Sequence, residues 1–285
     1  MYGKVIISGA SGFIGGHLVR HFLAKGWTVI ALVRVFPSKP LKDVEYRLYD
    51  LLQAPAVDLF REAAYFIHAA YLPNNFDCNV TGAKQLLACS RQASLRRNVF
   101  ISSFSSSVDS ESLYGRQKYA IEQLFCRDTD TIVRPGAVLG DGGLFSKMNA
   151  HIAAGKRIPL IQGGRQPMQT IAVDDLCLAI EHILLKDLSG VFSVAEPESL
   201  TYKEFFLLLA AMNSLSARFL KVPYRLLDML LWVSESLGFH LPVGRENLRG
   251  LIALRYRETK GDLHRLGIVI KDCKASLEAL FSNTK

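Results

Sequence analysis

Near the amino terminus three glycines stand at fixed spacing between a β-branched run and an amphipathic helix. Val5-Ile6-Ile7 leads into Gly9-Ala10-Ser11-Gly12-Phe13-Ile14-Gly15, and Leu18, Val19, Phe22 and Leu23 come next at helical intervals. A strand that passes into a helix through so short a turn needs glycine where the chain reverses and where helix and strand approach closely. The same turn leaves backbone N–H groups at the positive end of the helix, where a phosphate is stabilised. Gly9, Ser11, Gly12, Phe13, Ile14 and Gly15 are therefore candidate contacts to the phosphates of a dinucleotide. A glycine turn that only packs helix on strand is the plainer alternative.

The rest of the first half extends the pattern. Gly26 ends the first helix, and Thr28–Val33 reads as a second strand. Residues 65–69, 98–101, 131–134 and 191–195 read as further strands, with helices over 80–92, 114–125 and 174–185. Strands alternating with helices of this length predict an α/β fold, a doubly wound parallel sheet with helices on both faces. After residue 142 the pattern loosens. Thr201 with Glu204 forms a capping-box signature for another helix. Beyond it lies a mostly helical stretch, with a break at Leu241-Pro242. The expected organisation is a dinucleotide-binding domain over 1–142 and 170–197, interleaved with a smaller substrate domain over 143–169 and 198–285.

Composition narrows the partners. Of 285 residues, 49% are hydrophobic and 21% charged, too apolar for disorder. The net charge of +8 invites a nucleic-acid reading, but residues 1–150 carry 17 Lys/Arg against 12 Asp/Glu and residues 151–285 carry 17 against 14. Charge so evenly spread, without a basic run, argues against nucleic acid and suits an anionic small ligand. The five cysteines form no CxxC pair, which argues against a thiolate zinc site and a disulfide framework. No stretch reaches the roughly 20 apolar residues of a membrane span. The expectation is a cytoplasmic protein acting on a small molecule.

The second strand ends in Leu32-Val33-Arg34. In folds of this kind the residue there reaches the adenosine ribose, where an acid would bind a free 2′-hydroxyl. Arg34 suits a 2′-phosphate instead, which makes NADP(H) the expected cofactor over NAD(H); a solvated surface arginine is the alternative. Asp50 is placed to accept a bond from the adenine amino group. Further on, Tyr114 and Lys118 lie four residues apart at the start of a helix and so share a face. The strand before them ends in Ser102-Ser103, so serine, tyrosine and lysine can converge. An ammonium beside a phenol favours the phenolate.

These residues together resemble the extended short-chain dehydrogenases/reductases, in the NAD-dependent epimerase/dehydratase branch. The resemblance covers residues 4–200 well and the rest loosely, and it implies a role for each matching residue. Asp50-Leu51 matches the adenine-binding acidic position, and His68-Ala69-Ala70 the segment along the cofactor. Asn79 matches a structural and proton-relay asparagine. Ser103 matches the catalytic serine, with Ser102 as the alternative register, and Tyr114 and Lys118 match the catalytic pair. Arg134-Pro135-Gly136 and Val173-Asp174-Asp175 match two further signatures, with Pro135 and Val138 expected near the cofactor. The implied chemistry is hydride transfer to or from a carbinol or carbonyl carbon of a nucleotide-activated sugar. A homodimer through the helices over 80–92 and 114–125 is implied as well.

Departures from the family pattern concern the substrate. Met168 stands where nucleotide-sugar members often have arginine, Leu139 where they often have tyrosine, and only 11 positions separate Ser103 from Tyr114. A reductase of another carbonyl compound, such as a lipid, steroid or phenolic ketone, is thus a second reading. A non-catalytic dinucleotide sensor is a third, disfavoured by the complete Ser/Tyr/Lys set. Arg245, Arg249, Arg255 and Arg257 are either a phosphate anchor or a solvated surface. His17 and His21 share a helix face but lack the glutamate of a zinc-protease helix, so no metal is expected. Leu226, Leu227, Leu230 and Leu231 read as core or as a wall of the substrate site. The nearby Arg218, Lys221 and Arg225 leave an interfacial membrane helix as the other option.

Overall fold

A computed structural model describes residues 3–73, 75–236 and 245–282. In chain order the first half contains β1 (Lys4–Ser8), α1 (Phe13–Ala24), β2 (Thr28–Val33), β3 (Val44–Leu48), β4 (Tyr65–His68), α2 (Phe76–Gln92), β5 (Arg97–Ile101), α3 (Leu113–Glu122) and β6 (Thr131–Pro135). The second half contains β7 (Ala137–Leu139), α4 (Gly143–Ala153), β8 (Ile158–Leu160), β9 (Pro167–Met168), β10 (Thr170–Ala172), α5 (Val173–Leu185), β11 (Gly190–Val194) and β12 (Leu200–Thr201). It continues through α6 (Tyr202–Met212), β13 (Phe219–Lys221), α7 (Tyr224–Ser236), α8 (Arg245–Ile252), α9 (Lys260–Leu266) and α10 (Cys273–Ser282).

Seven strands form one parallel sheet in the order β11-β6-β5-β4-β1-β2-β3. Their apolar runs are what a sheet covered on both faces requires. Alternation sends Val5 and Ile7 to one face, with Leu18, Val19 and Phe22 of α1 and Ile180 and Ile183 of α5. Ile6 goes to the other face, with Phe66 and Leu86. There Leu87 of α2 and Ile121 of α3 also meet Phe100 and Ile132. This is the doubly wound, Rossmann-type sheet expected. The strand order reverses between β1 and β4, and the crevice that such a reversal opens lies at their carboxyl ends.

Several boundaries differ from expectation for local reasons. Helix α2 starts at Phe76 because Asn75 caps it, its side chain accepting from the Cys78 N–H. The capping box of Thr201 and Glu204 is formed. Strand β10 leaves the main sheet and pairs with β7. A second apolar core joins Leu139, Phe145, Ile158, Met168, Phe205 and Leu277. The stretch 198–285 is divided between the two cores, because Leu263, Leu266 and Ile268 pack into the main core against α5 and β11. The break at Leu241-Pro242 lies outside the described residues.

The turn between β1 and α1 is the tightest point. Gly9 has φ +69°, and a Cβ on Gly15 would lie 2.1 Å from the Gly9 carbonyl oxygen. That neighbour is backbone and has little room to move. Gly15→Ala should therefore destabilise the protein by about 1–3 kcal/mol, as overpacking does. Urea unfolding checks this; a variant as stable as the wild type would show that helix and strand are not locked together here.

Candidate active site

The crevice at the switch point is a cleft of about 340 Å³. Gly9, Ser11, Gly12, Phe13, Ile14 and Gly15 line its floor, Leu32, Arg34, Tyr49, Asp50 and Leu51 one end, and Ala69, Ala70, Tyr71, Leu72, Ile101, Ser102, Tyr114 and Lys118 the other. The floor has the properties a pyrophosphate needs. Gly12 caps α1 without any side-chain hydrogen bond, so no side chain occupies the positive end of that helix. A Cβ on Gly9 would lie 2.7 Å from the Ala70 backbone, so the glycine turn packs directly on the end of β4. The residues present thus fit a dinucleotide.

At the adenosine end Arg34 is exposed at the rim. The Asp50 carboxylate accepts from the Leu52 N–H. Tyr49, a neighbour that sequence reasoning missed, lines the cleft, and its buried hydroxyl has no hydrogen-bond partner.

At the other end α3 carries Tyr114 and Lys118 on one face. The Ser112 side chain caps this helix on the Gly115 N–H. The two serines after β5 divide by the alternation of the extended chain. Ser102 turns inward and donates to the Glu122 carboxylate. Ser103 shares a hydrogen bond with the Tyr114 hydroxyl, so the structure brings Ser103, and not Ser102, to the tyrosine. Burial is the main influence on Tyr114 and outweighs the Ser103 bond, which pulls the other way; the phenol is pushed up to about 12. The tyrosine is therefore protonated at neutral pH.

The Lys118 ammonium donates to the Ile101 carbonyl at 2.7 Å and sits 4.8 Å from the Phe100 ring centroid. Burial brings it down to about 8, while the Glu122 charge one turn along α3 holds it up. Glu122 in turn receives both Nε and Nη2 of Arg134. Of this buried set, Lys118–Glu122–Arg134 with Ser102, the sequence displays only the Lys–Glu pair at i, i+4. Tyr71 is a further residue that sequence reasoning missed. Its ring meets the Tyr114 ring edge-on at 5.3 Å between centroids. The available signal is its position directly after Ala69-Ala70.

Other predicted residues lie beneath or away from the cleft. His68 is buried, with Nδ1 2.7 Å from the Ser8 hydroxyl, and burial followed by the Lys118 charge brings it down to about 3, so it stays neutral. Asn79 uses its whole amide on backbone: Oδ1 accepts from Leu72 N–H, and Nδ2 donates to the Leu72 and Asn75 carbonyls. It thereby fixes the loop that carries Tyr71. Pro135 and Val138 are not among the residues that line the cleft. His21 pairs with Glu181 at 2.9 Å. Met168 and Leu139, two of the three departures, belong to the second core.

Three of the four arginines, Arg245, Arg255 and Arg257, turn to different partners. Arg245 makes a two-pronged pair with Asp228 at 2.8 and 2.9 Å. Arg255 donates to the Ile252 and Leu254 carbonyls. Arg257 reaches across to the Phe104 and Ser106 carbonyls, and so clamps the loop that carries Ser103.

Because Glu122 holds the Lys118 charge up, Glu122→Gln should move the Lys118 titration below its native midpoint of about 8. Competitive acylation of Lys118 followed against pH measures this. An unchanged or raised midpoint would show that Glu122 does not support the Lys118 charge.

Comparisons with known proteins bear on the family and the fold. The model of the NAD dependent epimerase/dehydratase family matches residues 5–195. A ceramide reductase of Caulobacter vibrioides is 37% identical over 153 residues, which is 49% of this chain and 48% of that protein. The match therefore spans about half of that relative's length. A ketoreductase of Stigmatella aurantiaca, acting on 4-hydroxy-2-methyl-3-oxo-4-farnesyl-3,4-dihydroquinoline-1-oxide, is 24% identical over 271 residues, 82% of this chain and 80% of that one. Among solved structures, a UDP-glucuronic acid 4-epimerase from Bacillus cereus in complex with NAD superposes with a TM-score of 0.75 at 17% identity, covering 98% of this chain and 96% of that one.

Proposed function

The chain belongs to the NAD dependent epimerase/dehydratase family and is an enzyme, and from that premise we propose that it is an NADPH-dependent reductase of a ketone carried on an apolar molecule. The observation that carries this reading is the placement of Tyr114, which lines the cleft hydrogen-bonded to Ser103 and one helical turn from Lys118. A protonated tyrosine is the form that donates to a ketone oxygen.

A dinucleotide held by the glycine turn and the cleft lining would supply the hydride, a hydrogen with its pair of electrons, to the carbonyl carbon. Ser103 donates a hydrogen bond to the carbonyl oxygen and holds it beside Tyr114. Tyr114 gives its proton to that oxygen as charge develops there. The Lys118 ammonium stabilises the phenolate left behind and holds the nicotinamide ribose, the role its match to the family motif implies. Arg34, at the rim with no acid at the end of β2, meets the 2′-phosphate.

The substrate class rests on two supports. One relative is a ceramide reductase and another a ketoreductase of a farnesyl-bearing quinoline oxide, and both named substrates carry long apolar parts. A nucleotide sugar, the substrate implied by the family resemblance, needs cations for its diphosphate, and Arg245, Arg255 and Arg257 are engaged with protein groups. The nucleotide-sugar reading is therefore placed second.

Tyr114→Phe should lower NADPH-dependent reduction of a long-chain ketone by about 10²–10⁴-fold and leave NADPH affinity nearly unchanged, since only the proton-transferring hydroxyl is lost. Absorbance of NADPH and calorimetry read the two effects, and wild-type turnover in the variant would overturn the assignment. Arg34→Ser should weaken NADPH about tenfold or more and leave NADH unaffected, because a charge-assisted bond to phosphate is worth about 1.5–3 kcal/mol. Equal weakening of both cofactors contradicts the 2′-phosphate contact.

A further inference from the structure

Helix α7 divides its apolar residues between two destinations. Leu231 is buried with Ile161 of the β8 end and Leu248 of α8, and Leu227 packs against the same group. The opposite face remains open to solvent. Met229 is 53% exposed, Leu230 51%, Trp232 55% and Val233 41%. Leu220, on the strand leading into the helix, is 46% exposed. A contiguous group of large apolar side chains on one helix face marks an interaction surface.

The charge around this face identifies its partner. Arg218, Lys221 and Arg225 are all exposed. Arg225 shares one shallow depression with Met229 and Trp232, its i+4 and i+7 neighbours. The acids in the stretch 215–236 are Asp228, neutralised by Arg245, and Glu235. A second copy of the chain meeting this face symmetrically would set the same cations against one another. Tryptophan, methionine and leucine flanked by lysine and arginine match instead the boundary between acyl chains and anionic headgroups.

We propose that the outer face of α7 docks on an anionic lipid surface, with Met229, Leu230, Trp232 and Val233 entering the acyl boundary and Arg218, Lys221 and Arg225 on the headgroups. Docking of this kind uses no residue of the cleft and so stands apart from the reductase reading. The two are connected by packing: α7 lies on α8, and α8 lies on the catalytic helix α3. Docking therefore brings the catalytic helix within two layers of the membrane surface.

The protein is mixed with vesicles of phosphatidylcholine, with and without phosphatidylglycerol, and followed by flotation and tryptophan emission. The chain has two tryptophans. Trp27 is buried, so a shift in emission reports Trp232. The expected result is flotation and a blue shift with phosphatidylglycerol vesicles, both reversed by salt. Lys221→Gln and Arg225→Gln should each lower partitioning by roughly fivefold. Met229→Ser with Trp232→Ser should abolish it, with urea unfolding like the wild type. Three results would overturn the proposal: no flotation with anionic vesicles, binding untouched by the Met229/Trp232 pair, or a dimer by light scattering that Trp232→Ser converts to monomer.

Discussion

The contact of Gly15 with the Gly9 carbonyl sets the geometry on which the active site depends. It lets α1 begin directly beneath the end of β1, with its uncapped first turn at the floor of the cleft. Gly9, pressed on Ala70, ties the same turn to the end of β4. The switch point of the sheet thus opens onto bare backbone rather than side chains. A methyl group at either position would separate the elements that hold the phosphate floor and those that lead to Tyr71 and Tyr114.

On the other side of the cleft the controlling interaction is electrostatic. Lys118 is buried and is drawn toward neutrality, and its charge persists near neutral pH because Glu122 lies one turn away. Glu122 is itself buried and is matched by Arg134 of β6 and by Ser102. A buried charge left without its partner is costly, so members of such a set fix one another's positions. Lys118 thereby stands in place beside the Phe100 ring and the Ile101 carbonyl. Arg257, arriving from the far end of the chain, performs the equivalent task for the Ser103 loop by bonding two of its carbonyls.

How legible each feature is in the sequence depends on how local its signal is. The glycine turn, the Tyr114–Lys118 spacing and the apolar strands are short-range patterns, and the elements they predict are present. Whether Ser102 or Ser103 meets the tyrosine depends on which way an extended chain alternates after β5, and a one-residue uncertainty there exchanges the two. Tyr49 carries no periodic or motif signal and Tyr71 only its place directly after Ala69-Ala70; the packing of the β4 and β3 ends around the cleft brings both to it. The arginines over 245–257 read as one cluster because they are near in sequence. Folding sends Arg245 to Asp228 and Arg257 to the serine loop. The leucine stripe on α7 is likewise split, with Leu231 inward and Leu230 outward.

The central claim is that hydride is delivered to a ketone carbon while Tyr114 supplies the proton. Incubation with NADPH deuterated at the transferred position, together with a panel of long-chain ketones, tests it by mass spectrometry of the alcohol formed. The account predicts one deuterium bonded to the carbinol carbon, with one oxidised cofactor for each alcohol. Interconversion of two hydroxy compounds with no net cofactor oxidation, or an alcohol without deuterium, would contradict it.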